Sequence, residues 1–166
     1  MYQPGDTIIY SSQGVCRVLE VCHPPISSTN PHKLYYNLSP LYSDVHIYIP
    51  VDTKVFMRPV IGREEAERLI RRLPKLPEKK YDGENLNPTV LRNYYNSFLE
   101  TNDCEAFFQL IKGIYTRTNG KQKMGQTDKA YMKRLEDLLY GELAVALEIP
   151  REQVVSYIAD TLRAGS

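Results

Sequence analysis

Residues 5–21 read GDTIIYSSQGVCRVLEV, and this segment decides the fold of the N-terminal part of the chain. The runs 6–10 and 14–21 are rich in Val, Ile and Tyr, and the SSQG segment between them is typical of a turn. Similar runs follow at residues 33–38 (KLYYNL), 45–49 (VHIYI) and 52–57 (DTKVFM). Five short strands before residue 60 predict a small, strongly bent antiparallel β-barrel, because closure hides the edges of a sheet.

The periodicity of the apolar residues changes at Gly62, where the strand pattern gives way to helical spacing. Residues 64–73 predict a helix that Pro74 and Pro77 terminate, and the charged residues 78–84 predict a linker. Capping residues and prolines then predict four helix starts, at Asn87-Pro88, Asn102-Asp103, Thr127-Asp128 and Pro150. The fold class is therefore α+β. We expect a β module in residues 1–60, a helix and linker in 61–84 and an all-α bundle in 85–166.

The composition excludes several classes of protein. Charged residues make up 25% of the chain, hydrophobic residues 42%, and the net charge is +1, which is ordinary for a soluble protein. No apolar run is long enough to span a membrane, and the N-terminus does not resemble a signal peptide. Cys16, Cys22 and Cys104 show no metal-ligand spacing, which is typical of buried thiols in a reducing cytoplasm. We expect no cofactor and no metal.

Catalytic motifs are absent from the sequence. It contains no GxSxG, no phosphate-binding glycine loop and no HExxH. Cys16 and His23 could be imagined as a nucleophile and its base, but both lie in or beside predicted strands, where cysteine is more often a small buried hydrophobe. We expect a protein that is not an enzyme.

Residues 112–134 concentrate positive charge in a chain that is otherwise nearly neutral. The segment holds one acid, Asp128, and seven bases: Lys112, Arg117, Lys121, Lys123, Lys129, Lys133 and Arg134. Lys129 and Lys133 share one face of the longest predicted helix, near an N-terminus whose dipole disfavours cations. Helix stability alone would therefore not place them there. The pattern indicates a partner with a phosphate backbone; the alternative is a solvated helical face.

Several segments resemble the CarD/CdnL family of bacterial transcription regulators, whose polymerase-interacting module also occurs in the transcription-repair coupling factor. They are residues 5–10 (GDTIIY), Gly14-Val15, residues 47–51 (IYIPV) and residues 57–61 (MRPVI). In the helical part, Lys129 and residues 141–144 (GELA) resemble the last long helices of the family. The resemblance implies a Tudor-like β module that adds a strand to the RNA polymerase β subunit. It also implies a helical domain that binds promoter DNA at the upstream edge of the transcription bubble and modulates open-complex stability.

The resemblance assigns candidate binding residues by position. The polymerase-facing strand comprises Val45, His46, Ile47, Tyr48, Ile49 and Pro50, with Tyr48 where the family often has a basic residue. The DNA-facing residues are Arg92 and Lys129 by resemblance, together with Lys112, Arg117, Lys123 and Lys133 from the basic stretch. The wedge tryptophan of the family, just before the helix that starts near Pro88, is missing, since the chain has no Trp. Leu86 and Pro88 are the candidates in its place.

Taken together, these features predict a cytoplasmic, nucleoid-associated regulator that acts as a monomer and does not contact membranes. Its partners would be the polymerase β subunit and the phosphate backbone of duplex promoter DNA. The alternative is a protein-only interaction adaptor that docks through its β module and does not contact DNA.

Overall fold

A computed structural model describes residues 1–23, 32–84 and 87–165 of the chain. Within these residues it contains five β-strands followed by five α-helices, which confirms the predicted α+β class. The chain divides into two compact units, Met1–Val60 and Ile61–Ser166. The segment 61–84, predicted as a helix and linker, lies in the second unit.

The strands form one antiparallel sheet in the order β4-β3-β2-β1-β5. Their bounds are β1 Thr7–Tyr10, β2 Gly14–Cys22, β3 Tyr35–Pro40, β4 Ile47–Pro50 and β5 Met57–Pro59. The expected closed barrel is not formed, because the described part of the sheet pairs neither edge strand, β4 nor β5, with the other. Both edge strands are short and end at a proline, which cannot donate a main-chain hydrogen bond to a further ladder.

The last three strands differ most from the sequence prediction. The third strand begins at Tyr35, where pairing with Cys22 starts, and the fourth begins at Ile47 and not at residue 45. The fifth strand was predicted at residues 52–57 but occupies Met57–Pro59. Residues 51–56 turn instead, because the Thr53 N–H donates to Pro50 O at 3.0 Å and Thr53 Oγ1 accepts from the Val55 N–H at 3.2 Å. The predicted turn at residues 24–31 lies outside the described residues.

One face of the sheet builds the core of the first unit; we call it the core face. Its buried members are Ile8, Cys16, Val18, Tyr36, Leu38 and Ile49. Because side chains alternate between faces along a strand, the residues between them lie on the opposite, outer face. A β-bulge between Val18 and Glu20 changes this alternation within β2.

The second unit is all-α, as expected. Its helices are α1 Arg63–Arg72, α2 Pro88–Leu99, α3 Cys104–Arg117, α4 Gln126–Leu147 and α5 Val154–Ala164. The predicted caps of α2 and α3 are confirmed, since Asn87 accepts from the Thr89 N–H and Asp103 accepts from the Ala106 N–H. Helix α4 starts one residue earlier than predicted, after Gly125, and a 3₁₀ turn at Arg151–Gln153 precedes α5.

Helix α4 is the centre of the second unit and packs against α1, α2, α3 and α5. Leu135, Leu139 and Leu143 on its buried face are fully inaccessible to solvent. Glu142, which looks like a surface acid in the sequence, is buried: its carboxylate accepts from the Ile61 N–H at 3.0 Å and from the Cys104 thiol at 3.1 Å. The run GELA at residues 141–144 is therefore a packing element of this unit.

Candidate functional site

Strand β4 lies at one edge of the sheet, so its outer side is available for a further strand. The Val51 N–H donates to Leu34 O at 3.1 Å, which marks these residues as a hydrogen-bonded pair across β3 and β4. Hydrogen-bonded and non-bonded pairs alternate along antiparallel strands. The pair Tyr36–Ile49 is therefore bonded, whereas the main-chain N–H and C=O of Tyr48 point away from β3.

The predicted polymerase-facing residues differ in what they contribute to this edge. Ile49 is buried in the core, and Ile47 packs against the same cluster. Tyr48 and Pro50 are half-buried, whereas Val45 and His46 are exposed and precede β4. The side chains that lie next to the open edge of β4 are therefore those of Tyr48 and His46.

Three polar side chains, Glu20, Asn37 and His46, form a hydrogen-bonded row on the outer face beside β4. This row was not predicted from the sequence. Asn37 is buried at 7% exposure, opposite Tyr48 in the register. Its Nδ2 donates to Glu20 Oε1 at 3.4 Å, and its Oδ1 lies 3.3 Å from His46 Nδ1. The only sequence signal was an Asn inside an apolar strand, and its partners Glu20 and His46 lie 17 and 9 residues away along the chain.

In the second unit, four of the predicted DNA-facing residues are exposed: Arg92, Lys123, Lys129 and Lys133. Arg92 lies in the first turns of α2, where its guanidinium donates to Thr89 Oγ1 at 3.3 Å. Lys123 lies in the loop between α3 and α4, and Lys129 and Lys133 lie one turn apart on α4. The Lys133 ammonium is 2.8 Å from Asp137, but this pair is exposed and weak.

Lys112 and Arg117 have partners inside the unit. The Lys112 ammonium donates to Leu73 O at 2.8 Å and to Leu76 O at 2.5 Å, so it ties the end of α1 to α3. The Arg117 guanidinium pairs with Asp128, and the two side chains are only 19% and 6% exposed. These two cations hold the helices together, and the basic stretch offers fewer cations to a partner than its sequence suggests.

Asp128 is the centre of a buried network that joins α2, α3 and α4. The Tyr95 hydroxyl donates to Asp128 Oδ1 at 2.6 Å, and Arg117 donates both to this carboxylate and to the Tyr95 oxygen at 2.9 Å. Burial raises the pKa of Tyr95, and the hydrogen bond to Asp128 raises it further. Burial alone would lower the pKa of Arg117, but its hydrogen bonds to Asp128 and Tyr95 raise that pKa above its usual value.

A surface concavity of about 460 Å³ lies beside this network. Arg92 and Lys123 line it, together with the first residues of α4 and with Arg117 and Asp128 of the network. Two exposed cations therefore converge on one depression next to the start of a helix. Both cations and helix N-termini are favourable for an anionic group.

Of the two candidates for the wedge position, Leu86 and Pro88, the structure describes only Pro88. Pro88 is the first residue of α2 and is exposed, whereas Leu86 lies outside the described residues. The ring of Tyr81 contacts that of Tyr94 in a tilted arrangement, with ring centroids 5.4 Å apart and an interplanar angle of 59°. The aromatic residues near the start of α2 are thus held against the helix, since Tyr94 also contacts Phe98 and Tyr95.

The segment predicted as a linker is fastened to α3. The Lys79 N–H donates to Gln109 O at 2.9 Å, and the Thr116 hydroxyl donates to the Glu78 carboxylate at 2.7 Å. Gly113 permits this approach, because a Cβ built there would lie 2.1 Å from Lys79 O. We call residues 76–80 the strap.

Metal and membrane features are not found in the described parts of the chain. No group of three or more His, Cys, Asp or Glu there is placed to hold a metal ion. Within the same residues no helix is long and apolar enough to cross a bilayer.

Residues 2–61 match the family model of the CarD-like/TRCF RID domain. The match spans the whole sheet and ends at the boundary of the first unit, so the resemblance of the helical unit to the same family stays a prediction. No curated protein matches the chain. The members of this family are protein-interaction domains, and their partner is RNA polymerase. The first unit of this chain, with its open β4 edge, therefore belongs to the CarD-like RNA polymerase-interacting domain family.

Proposed function

We propose that this protein is a transcription regulator that binds the RNA polymerase β subunit through β4 and promoter DNA through its helical unit. Contact at the upstream edge of the transcription bubble would modulate the stability of the open complex. The observation that carries the proposal is the family match over residues 2–61 combined with an unpaired outer edge on β4. In this proposal the protein acts as a monomer on the nucleoid of a bacterial cell.

The edge of β4 supports strand addition as the mode of polymerase binding. Added strands obtain affinity from main-chain hydrogen bonds and specificity from alternate side chains. Tyr48 offers both an N–H and a C=O on the outer side of β4, and its side chain lies on the outer face. Pro50 limits the edge at the other end, which restricts the register of an added strand.

Replacing Tyr48 by proline tests this mode. The substitution removes the outward N–H but no hydrogen bond to β3, so the sheet itself should remain folded. We expect Tyr48→Pro to abolish recovery of core polymerase in a pull-down, whereas Tyr48→Phe should retain most of it. Equal recovery with both variants, each shown by circular dichroism to be folded, would exclude this edge.

Phosphate contacts support the second half of the proposal. Arg92 is exposed on α2, Lys123 in the loop between α3 and α4, and Lys129 and Lys133 on α4. The proposed DNA contact does not need Lys112 or Arg117. If these four cations each neutralise one phosphate, log K should fall with log salt at a slope of about −3.6. Such contacts position a protein on DNA and carry little sequence information.

Charge reversal on α4 tests the DNA contact. Lys129→Glu combined with Lys133→Glu should weaken binding to duplex promoter DNA and reduce the slope to about −1.8. The matched control is Lys33→Glu combined with Lys54→Glu, which changes the net charge equally but lies in the first unit. If both pairs have the same effect, net charge and not a local contact is responsible.

The second candidate function is a protein-only adaptor, and the internal use of Lys112 and Arg117 favours it. An adaptor would bind polymerase without DNA. Pull-down of core polymerase with and without nuclease, followed by an abortive-transcription assay on one promoter, separates the two functions. An unchanged open-complex lifetime despite polymerase binding would favour the adaptor.

A further inference from the structure

The row of polar side chains on the outer face, Glu20, Asn37 and His46, depends on the bulge in β2. Strict alternation would place Glu20 on the core face with Cys16 and Val18. The register shift between Val18 and Glu20 instead places Glu20 opposite Asn37, on the outer face. A carboxylate thereby reaches the buried Asn37 amide from one side while His46 reaches it from the other.

These contacts determine how each group is oriented. An ionised carboxylate accepts hydrogen bonds and cannot donate, so Glu20 requires the NH₂ group of Asn37 to face it. The Asn37 carbonyl oxygen then faces His46, which must donate through Nδ1–H. A neutral imidazole that carries its proton on Nδ1 presents Nε2 as a hydrogen-bond acceptor.

His46 lies where an added strand would meet it. It immediately precedes β4, it is exposed, and its ring contacts Asn37, which lies opposite Tyr48. A strand added outside β4 would place every second side chain on this same outer face. The exposed Glu20 carboxylate gives that face a negative charge.

We propose that His46 Nε2 is a specificity-determining acceptor for a side-chain donor on the polymerase strand that pairs with β4. Glu20 favours a cationic donor, lysine or arginine, over a neutral one. Asn37 and Glu20 are positioning residues that fix the tautomer of His46. This inference rests on the proposed function, since it needs polymerase to bind at β4.

The tautomer is tested without polymerase. Long-range ¹H–¹⁵N NMR on the full chain should show His46 protonated on Nδ1 when the ring is neutral. Glu20→Ala should increase the Nε2–H form, whereas Asp6→Asn, which removes an equal charge elsewhere on the module, should not. A wild-type His46 protonated on Nε2 would overturn the proposal.

Two substitutions of His46 test the contact itself. A glutamine amide reaches the position of Nε2, whereas an asparagine amide reaches only that of Nδ1. His46→Asn should weaken binding to core polymerase about tenfold, as expected for the loss of a hydrogen bond to a charged group, and His46→Gln should weaken it much less. Equal losses for the two variants, or no loss for either, would overturn the proposal.

The same binding assay separates this inference from the proposed function. If the wild-type chain does not bind core polymerase, both fail. If the wild type binds, Tyr48→Pro does not, and His46→Asn binds normally, the edge contact stands and the role of His46 is wrong. If His46→Asn alone among the two His46 variants loses affinity, both are supported.

Discussion

At the scale of single residues, the Arg117–Asp128 pair shows why a charged residue in a basic stretch need not be a ligand contact. The two groups are mostly buried, and Tyr95 completes their hydrogen bonding. Breaking a buried pair is costly because the remaining charge stays desolvated.

We therefore expect Asp128→Asn to lower the free energy of unfolding by roughly 3 kcal/mol, measured by urea denaturation. Asp137→Asn is the matched control, because it removes the same charge from an exposed pair with Lys133 that is 78% and 47% accessible. The control should cost less than about 1 kcal/mol. Similar losses for both would show that the buried network adds little to stability.

The three cysteines differ in accessibility, which sequence reasoning did not separate. Cys16 and Cys104 are buried, and burial raises the pKa of the Cys16 thiol to about 11. Cys22 is only half-buried; desolvation and the neighbouring Glu20 carboxylate raise its pKa. Since the thiolate is the reactive form, both accessibility and ionisation matter.

A thiol reagent at pH 8 should modify Cys22 in the native protein, slowly, and the other two cysteines only in denaturant. Glu20→Gln should accelerate the reaction of Cys22, because it removes the negative charge that opposes thiolate formation. Mass spectrometry of the labelled peptides gives the order of reaction. Native labelling of Cys16 before Cys22 would contradict the described burial.

At the scale of secondary-structure elements, the strap at residues 76–80 determines how α1 and α3 are joined. Lys112 holds the main chain at Leu73 and Leu76, and Lys79 pairs with Gln109. Gly113 lies under the strap, where an added methyl group would collide with the carbonyl of Lys79.

Gly113→Ala tests the strap, because the contact predicts a decrease in the free energy of unfolding where a free helix would show an increase. In an unobstructed helix interior the change should stabilise by about 1 kcal/mol. Against the strap we expect a net loss of about 1–3 kcal/mol in the free energy of unfolding, since overpacking displaces main chain. Gly62→Ala, where the added Cβ meets open space, should change stability by less than about 1 kcal/mol. Stabilisation by Gly113→Ala would show that the strap is not fastened there.

At the scale of the whole molecule, the two units carry the two proposed contacts separately. The polymerase edge lies in Met1–Val60, and the exposed cations lie in Ile61–Ser166. Substitutions that share no partner usually have additive effects.

Tyr48→Pro should therefore abolish polymerase binding and leave the DNA affinity of the free protein unchanged. The double charge reversal, Lys129→Glu with Lys133→Glu, should weaken DNA binding and leave polymerase binding unchanged. Either variant should remove the effect of the protein on open-complex lifetime. Fluorescence anisotropy with duplex DNA and a polymerase pull-down measure the two activities independently. Loss of both activities in one variant would contradict separate binding surfaces.

The sequence by itself determined the features whose causes are local. Strand and helix types followed from the periodicity of apolar residues, and the starts of α2 and α3 followed from Asn87 and Asp103, whose side chains cap helices two or three residues away. The segments GDTIIY, GV, IYIPV and MRPVI together indicated the family of the first unit.

Only the tertiary structure decided which charged groups are available and how the sheet ends. Lys112 finds its acceptors 36 and 39 residues away, so its neighbours in sequence gave no sign that it is engaged. The sheet is open: its two short edge strands, β4 and β5, do not pair with each other. The bulge in β2 brings Glu20 to the outer face. Hydrogen bonds between residues distant in sequence depend on which strands and helices pack together, and the apolar periodicity of a single segment does not encode that packing.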